Sequence, residues 1–332
     1  MKLCSIMLTC MLVLAGGGAQ AVGFQHVRVP DPQDAAIEVG IWYPSDAAVP
    51  ADLDIPVRQA LAPDAPIAGD RLPLVVISHG SGGWIGGHAD LALALAEAGF
   101  VVAAPAHTGN HSEDERYPPA RWMVERPRQV GLVLDYLLGA WSGRDRIDPG
   151  AIGIFGFSAG AFTALVAVGA VPDLERIAAH CAGHPDEHAC RIGGLPLPGT
   201  AGTDLAWHHD PRIRAAVAAA VGFGFDAAAL AEVDVPVQLW AAAEDRVVPY
   251  RTNMALLRWS LPAVPEFHLV AKAGHFAFLR PCDPRLESAA PDVWTMVCID
   301  APGFDRAAFH RRLNDEVVAF FRRTLRPSAP RP

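Results

Sequence analysis

The sequence predicts an α/β fold, a mostly parallel sheet with helices on both faces and an irregular insertion. Three observations predict it. Short continuous apolar runs such as "LPLVVISHG" (72–80) have the unbroken hydrophobicity of strands buried on both sides. Stretches of helical composition alternate with those runs, the pattern of βα units feeding one sheet. A hydrophobic content of 51% with 19% charged residues in 332 residues suits a globular chain with a sizeable core.

The elements follow in order. Lys2, an apolar stretch from Ile6 to Ala15 and the small residues Ala19-Gln20-Ala21 read as a secretory signal, residues 1–21, cleaved after Ala21. The apolar stretch is short for a membrane span, and no Cys follows the cleavage point to take a lipid. Residues 22–332 are then expected to form one domain, exported to the periplasm or secreted, with no stable membrane insertion. Two strands are expected at "FQHVRV" (24–29) and "AIEVGIWYP" (36–44), followed by a Pro- and Asp-rich loop, 45–71. The strand at 72–80 leads to a helix over 89–99, a strand over 100–107 and a helix over 126–141 with Pro127 near its start. Strand 151–157 and helix 159–169 come next.

Regularity then lapses over 171–212, a stretch of the length and composition expected of a lid or insertion. It resumes with strand 213–223, strand 235–245, helix 249–260, strand 266–275 and an amphipathic helix over 304–325.

Charge and cysteines narrow the class. A formal charge of −9 opposes nucleic-acid binding, which needs clustered basic side chains. With the signal removed, Cys181, Cys190, Cys282 and Cys298 remain, an even count that suggests disulfides in an exported chain. Of the connectivities open to them, 181–190 and 282–298 ask least of the fold; free buried thiols are the alternative.

The chemistry centres on Gly156-Phe157-Ser158-Ala159-Gly160, a G-x-S-x-G between a strand and a helix. A serine hydroxyl needs a base, and the base an orienting carboxylate. Asp245 and His275 each fall just past a predicted strand, where an open α/β sheet gathers its site, in the order Ser, Asp, His. Glu244, Asp226 and Asp234 are rival acids, and Asp245 alternatively caps helix 249–260. A tetrahedral oxyanion needs donors: the backbone N–H of Ala159 is one candidate. The other lies in "SHGSGG" (78–83), where His79-Gly80-Ser81 resembles the H-G-x loop of lipases and esterases. That makes the N–H of Ser81 the candidate, with Gly82 the alternative and His79 structural.

Together "VVISHGSGG", "GFSAG", "AAAEDRVVP" and "AGHFAFL" resemble the α/β-hydrolase superfamily over roughly 72–325. More narrowly the chain is similar to bacterial proteins grouped as predicted dienelactone hydrolases, near the platelet-activating-factor acetylhydrolases. "IWYP" (41–44), "PAHTGN" (105–110) and the tail from "GHFAFLRPC" to "FHRRLNDEVVAFF" carry that narrower likeness. Ser158 stands where true dienelactone hydrolases have cysteine, so a lactone substrate does not follow. The resemblance implies a serine esterase acting on a small-molecule or lipid-like ester, with no cofactor required.

Other features have competing readings. His180, His184 and His188 share a spacing that suits a metal, but Pro185 interrupts the helix this needs, and a disulfide-closed lid is the stronger expectation. His208 and His209 beside Asp210 read as surface, and "HTGNHSED" (107–114) as a cleft wall. Leu195, Trp207, Phe223, Phe225 and Phe276 are equally suited to an apolar pocket and to the core. A peptidase or acyltransferase with the same triad, a binding protein on this scaffold and a metal-dependent enzyme are the alternative functions. The acyl and alcohol groups and the oligomeric state are not legible in the sequence.

Overall fold

Strand composition and alternation build the sheet first. A computed structural model describes residues 21–51, 57–191, 206–222 and 224–325, so the signal reading lies outside them apart from Ala21. Strands β1 (Ala21–Val29) and β2 (Ile37–Ser45) pair antiparallel. The Pro-rich segment after them, expected as loop, contributes a two-residue strand, β3 (Ala62–Pro63), beside β1. Strands β4 (Leu72–Ser78), β5 (Val101–Ala106), β6 (Ile147–Phe157), β7 (Ile213–Ala219), β8 (Val237–Ala242) and β9 (Glu266–Val270) complete the sheet. The order is β3-β1-β2-β5-β4-β6-β7-β8-β9. β2 meets β5 antiparallel, and from β5 to β9 every neighbour is parallel.

The strands are buried on both faces because alternate residues enter two separate cores. Leu74, Val76, Ile152, Ile154 and Leu239 point to one, which is closed by α2 (Pro119–Gly139) and α3 (Ala159–Ala167). Val75, Ile77, Phe155, Val217 and Trp240 point to the other, closed by α1 (Ala89–Glu97) and α9 (Arg306–Thr324). Smaller helices are α4 (Leu174–Gly183), α5 (His188–Arg191), α6 (Met254–Ser260), α7 (Leu286–Ala289) and α8 (Pro291–Val297).

Three sequence expectations need correction. Helix α2 begins at Pro119, not near 126, and carries Pro127 inside it. Pro119 has a preset φ suited to a first helical position. An interior proline costs about 3 kcal/mol, and burial of Met123, Val130, Val133, Leu134 and Leu137 along the helix offsets it. The stretch 171–212 is less irregular than its composition suggests. Asp173 Oδ1 accepts from the N–H groups of Glu175 and Arg176 and caps α4, whose Ile177 is fully buried. Residues 192–205 lie outside the described ones. Finally, α6 starts at Met254 and not at 249, and Asp245 does not cap it; Asn253 Nδ2 closes the preceding turn on the Pro249 carbonyl at 2.9 Å.

Cys181 is bonded to Cys190, tying α4 to α5, and Cys282 to Cys298, enclosing α7 and α8. The longer loop contributes on the order of 3 kcal/mol in the chain-entropy model.

Candidate active site

The candidate side chains Ser158, Asp245 and His275 each fall after the C-terminal end of a parallel strand. Ser158 follows β6 at φ 54° and ψ −117°, a conformation that costs a non-glycine residue about 1–3 kcal/mol. The neighbouring glycines make the turn fit. A Cβ on Gly156 would lie 2.0 Å from the Gly160 carbonyl oxygen, and one on Gly160 would lie 1.9 Å from that of Ser78. The Ser158 N–H is held by the Ala219 carbonyl at 2.8 Å.

Ser158 Oγ lies 3.0 Å from His275 Nε2, and His275 Nδ1 lies 2.8 Å from Asp245 Oδ2. A carboxylate only accepts, so the proton sits on Nδ1 and Nε2 is left to accept from the serine hydroxyl. Asp245 Oδ1 accepts from the N–H groups of Val247 and Val248, both at 2.8 Å, which fixes the carboxylate plane. Phe157 packs against the His275 ring, with centroids 4.9 Å apart. His275 and Asp245 are 4% and 7% exposed, so their interaction is poorly screened. The rival acids are elsewhere: Asp226 pairs with Arg176, and Glu244 and Asp234 are exposed.

Ser81, Ser158 and Ala159 line one cavity of about 100 Å³. Among the described residues neither the Ser81 nor the Ala159 N–H has an acceptor. The Ala159 N–H opens α3, where the helix dipole adds positive potential. Gly82, the alternative donor, is not a wall of this cavity. The rest is apolar, formed by Pro119, Trp122, Met123, Phe162, Val247 and Val248 among others.

Of the two readings open for the aromatic residues named from sequence, the structure favours the core for Phe225 and Trp207. Phe225 is buried and packs on Phe162, Trp207 is half-buried against the same ring, and Phe276 stands edge-on to His275. None of the three lines the cavity, and Leu195 and Phe223 lie outside the described residues. Trp122, Met123 and Phe162 were missed because helix periodicity shows which face is apolar, not that part of that face borders a cleft.

Segment 107–114 also differs from its reading as a cleft wall. His107 is fully buried behind the 78–83 loop, and Asn110 Nδ2 donates to Ser81 Oγ at 3.0 Å. His107 Nε2 accepts from Ser78 Oγ at 2.8 Å, and Nδ1 donates to Gln129 Oε1 at 3.0 Å. The His107 N–H donates to His79 Nε2 at 3.2 Å, so His79 carries its proton on Nδ1. Burial, and then the charge of nearby Arg126, holds both imidazoles well below the ordinary histidine range.

In the His-rich segment, His180 Nε2 is 2.9 Å from Glu187 Oε2 and stacks on His184, while His188 is exposed. Glu187, which composition did not single out, also accepts from Thr252 Oγ1 at 2.5 Å. His180, His184 and Glu187 therefore cluster, in place of the three histidines. His208 and His209 are exposed, beside an Asp210 paired with Arg212.

Sheet order, strand-end placement and the turn at Ser158 define the α/β-hydrolase fold. The family model for platelet-activating factor acetylhydrolase, isoform II, matches residues 17–117, a part that holds the 78–83 loop but not Ser158, Asp245 or His275. Among solved structures the chain is similar to a ferulic acid esterase from Streptomyces cinnamoneus, at 20% identity and a TM-score of 0.64, over 96% of each chain. No curated protein matches the chain.

Proposed function

We propose that the protein is a serine hydrolase that cleaves carboxylic esters through an acyl-enzyme. One observation carries this reading: a strained Ser158 in hydrogen-bond contact with a carboxylate-paired His275, opening on an apolar cavity with two backbone donors. Ser158 Oγ attacks the ester carbonyl as His275 Nε2 takes its proton. The N–H groups of Ser81 and Ala159 receive the oxyanion, each donor of this kind being worth about 3 kcal/mol of barrier. His275 then protonates the departing alkoxide. Water enters, gives a proton to His275 and attacks the acyl carbon, and collapse frees Ser158 and the acid. Asp245 holds the imidazole tautomer and stabilises the imidazolium.

The partial family match and the esterase-like fold support an ester as the substrate. The two disulfides favour an exported protein, periplasmic or secreted. Residues 22–332 act as one catalytic unit on this reading, with 171–212 as a lid. Ala189 lines the cavity, and Glu187 is tied to the turn after Asp245 through Thr252, which supports that role.

Ser158→Ala is expected to lower hydrolysis of p-nitrophenyl esters by about 10⁴-fold or more while leaving the circular dichroism spectrum unchanged. Substantial turnover by the folded variant would overturn the mechanism.

A further inference from the structure

Arg126 is fully buried on α2, yet among the described residues no carboxylate pairs with it. Apart from a 3.0 Å approach of Nη2 to the His79 ring at Nδ1, its donors go to backbone carbonyls. Nη1 reaches His79 O at 2.8 Å, and Nη2 reaches Gly80 O at 3.0 Å and Asn110 O at 3.4 Å. Nε has no partner among the described residues. Burial pulls the guanidinium pKa down to about 9, which leaves it charged at neutral pH. A buried cation with no carboxylate partner is costly, even with the Trp122 ring 5.7 Å from its guanidinium. Stability alone would put an apolar residue here, in register with Met123 and Val130.

The target of these bonds explains the cation. Three donors converge on the Gly80 carbonyl oxygen: Arg126 Nη2, His79 Nδ1–H at 2.6 Å and the Gly83 N–H at 3.1 Å. A trans peptide is planar, with its C=O and the following N–H on opposite sides. Holding Gly80 O towards the interior therefore turns the Ser81 N–H the other way, and Ser81 shares the cavity with Ser158.

We propose that Arg126 is a positioning residue, whose grip on the Gly80 carbonyl aims the Ser81 N–H at the oxyanion. Its fixed charge behind the loop adds to the potential there. The assignment rests on the esterase reading above, with Ser81 as an oxyanion donor.

The test uses Arg126→Met, similar in length but neutral, and Arg126→Lys, which keeps the charge but lacks the fork that spans two carbonyls. Folding is checked by circular dichroism and melting temperature. kcat and KM are measured on p-nitrophenyl acetate, and affinity for phenylboronic acid, whose tetrahedral adduct on Ser158 occupies the oxyanion site. In Arg126→Met, kcat is expected to fall about 100-fold with KM within about twofold, and boronate affinity to fall in parallel. Arg126→Lys should lie between, at about a tenfold loss. A folded variant of either kind that keeps kcat within threefold, or loses activity through KM alone, overturns the proposal. Failure of both variants to fold assigns Arg126 to stability and overturns it too. Wild-type protein that neither hydrolyses esters nor labels at Ser158 with a fluorophosphonate is a separate outcome: the esterase reading fails, and this inference falls with it.

Discussion

Two buried histidine systems flank Ser158, and they differ in the charge they face. On one side His275 donates to the Asp245 carboxylate and accepts from the serine. On the other, His79 and His107 are as deeply buried but lie against the Arg126 guanidinium. Burial disfavours an imidazolium at His79 and His107. An adjacent carboxylate stabilises the cation that proton transfer creates, whereas an adjacent guanidinium opposes it. The first system is suited to shuttling a proton and the second to holding a loop with fixed tautomers. Charge environment, more than burial, separates the two roles.

The largest expected effect comes from removing that charge. Asp245→Asn keeps an oxygen for the Val247 and Val248 N–H groups but presents the ring with an amide, favouring the wrong tautomer. It is expected to lower kcat by about 10⁴-fold with little change in melting temperature. A loss under about tenfold would mean that the carboxylate is not what distinguishes His275 from His107.

The second effect is on stability against pH. His107 has its folded pKa depressed below the unfolded value of about 6.5, so below that pH the unfolded chain binds the extra proton. Its contribution is therefore intact above about pH 6.5 and is lost as pH falls below it, by up to about 1.4 kcal/mol per pH unit. Urea unfolding between pH 7 and pH 5 should show a shallower decline in His107→Gln than in wild type. Equal slopes in the two proteins would place the titration elsewhere.

The smallest effect concerns Ser81. Its hydroxyl is engaged by Asn110, and the oxyanion role proposed for it belongs to its backbone N–H alone. Ser81→Ala should keep kcat within about threefold and cost about 1 kcal/mol of stability, measured by denaturant titration. A loss of a hundredfold in kcat would move the role from the amide to the hydroxyl.

Local signals in the chain account for most of the frame. Apolar runs, Gly156 and Gly160 around Ser158, and Asp245 and His275 at strand ends gave the strands and a candidate site, because sheet burial and a tight turn restrict residue types over a few positions. What lay beyond local pattern was misjudged. Pro127 looked like a helix start, yet the helix runs through it because its apolar side packs on the sheet. Arg126 carried one faint signal, a charge in register with the buried face of α2, whose meaning depended on where two loop carbonyls lay.

By itself, then, the sequence determined the alternation that builds a parallel sheet, the turn that strains Ser158 and the order of Ser158, Asp245 and His275 along the chain. Only the tertiary structure decided that Trp122 and Phe162 wall the cavity, that His107 lies behind the loop, and that Arg126 grips Gly80. Those relations join residues distant in the chain through packing and hydrogen-bond direction, which periodicity and composition do not encode.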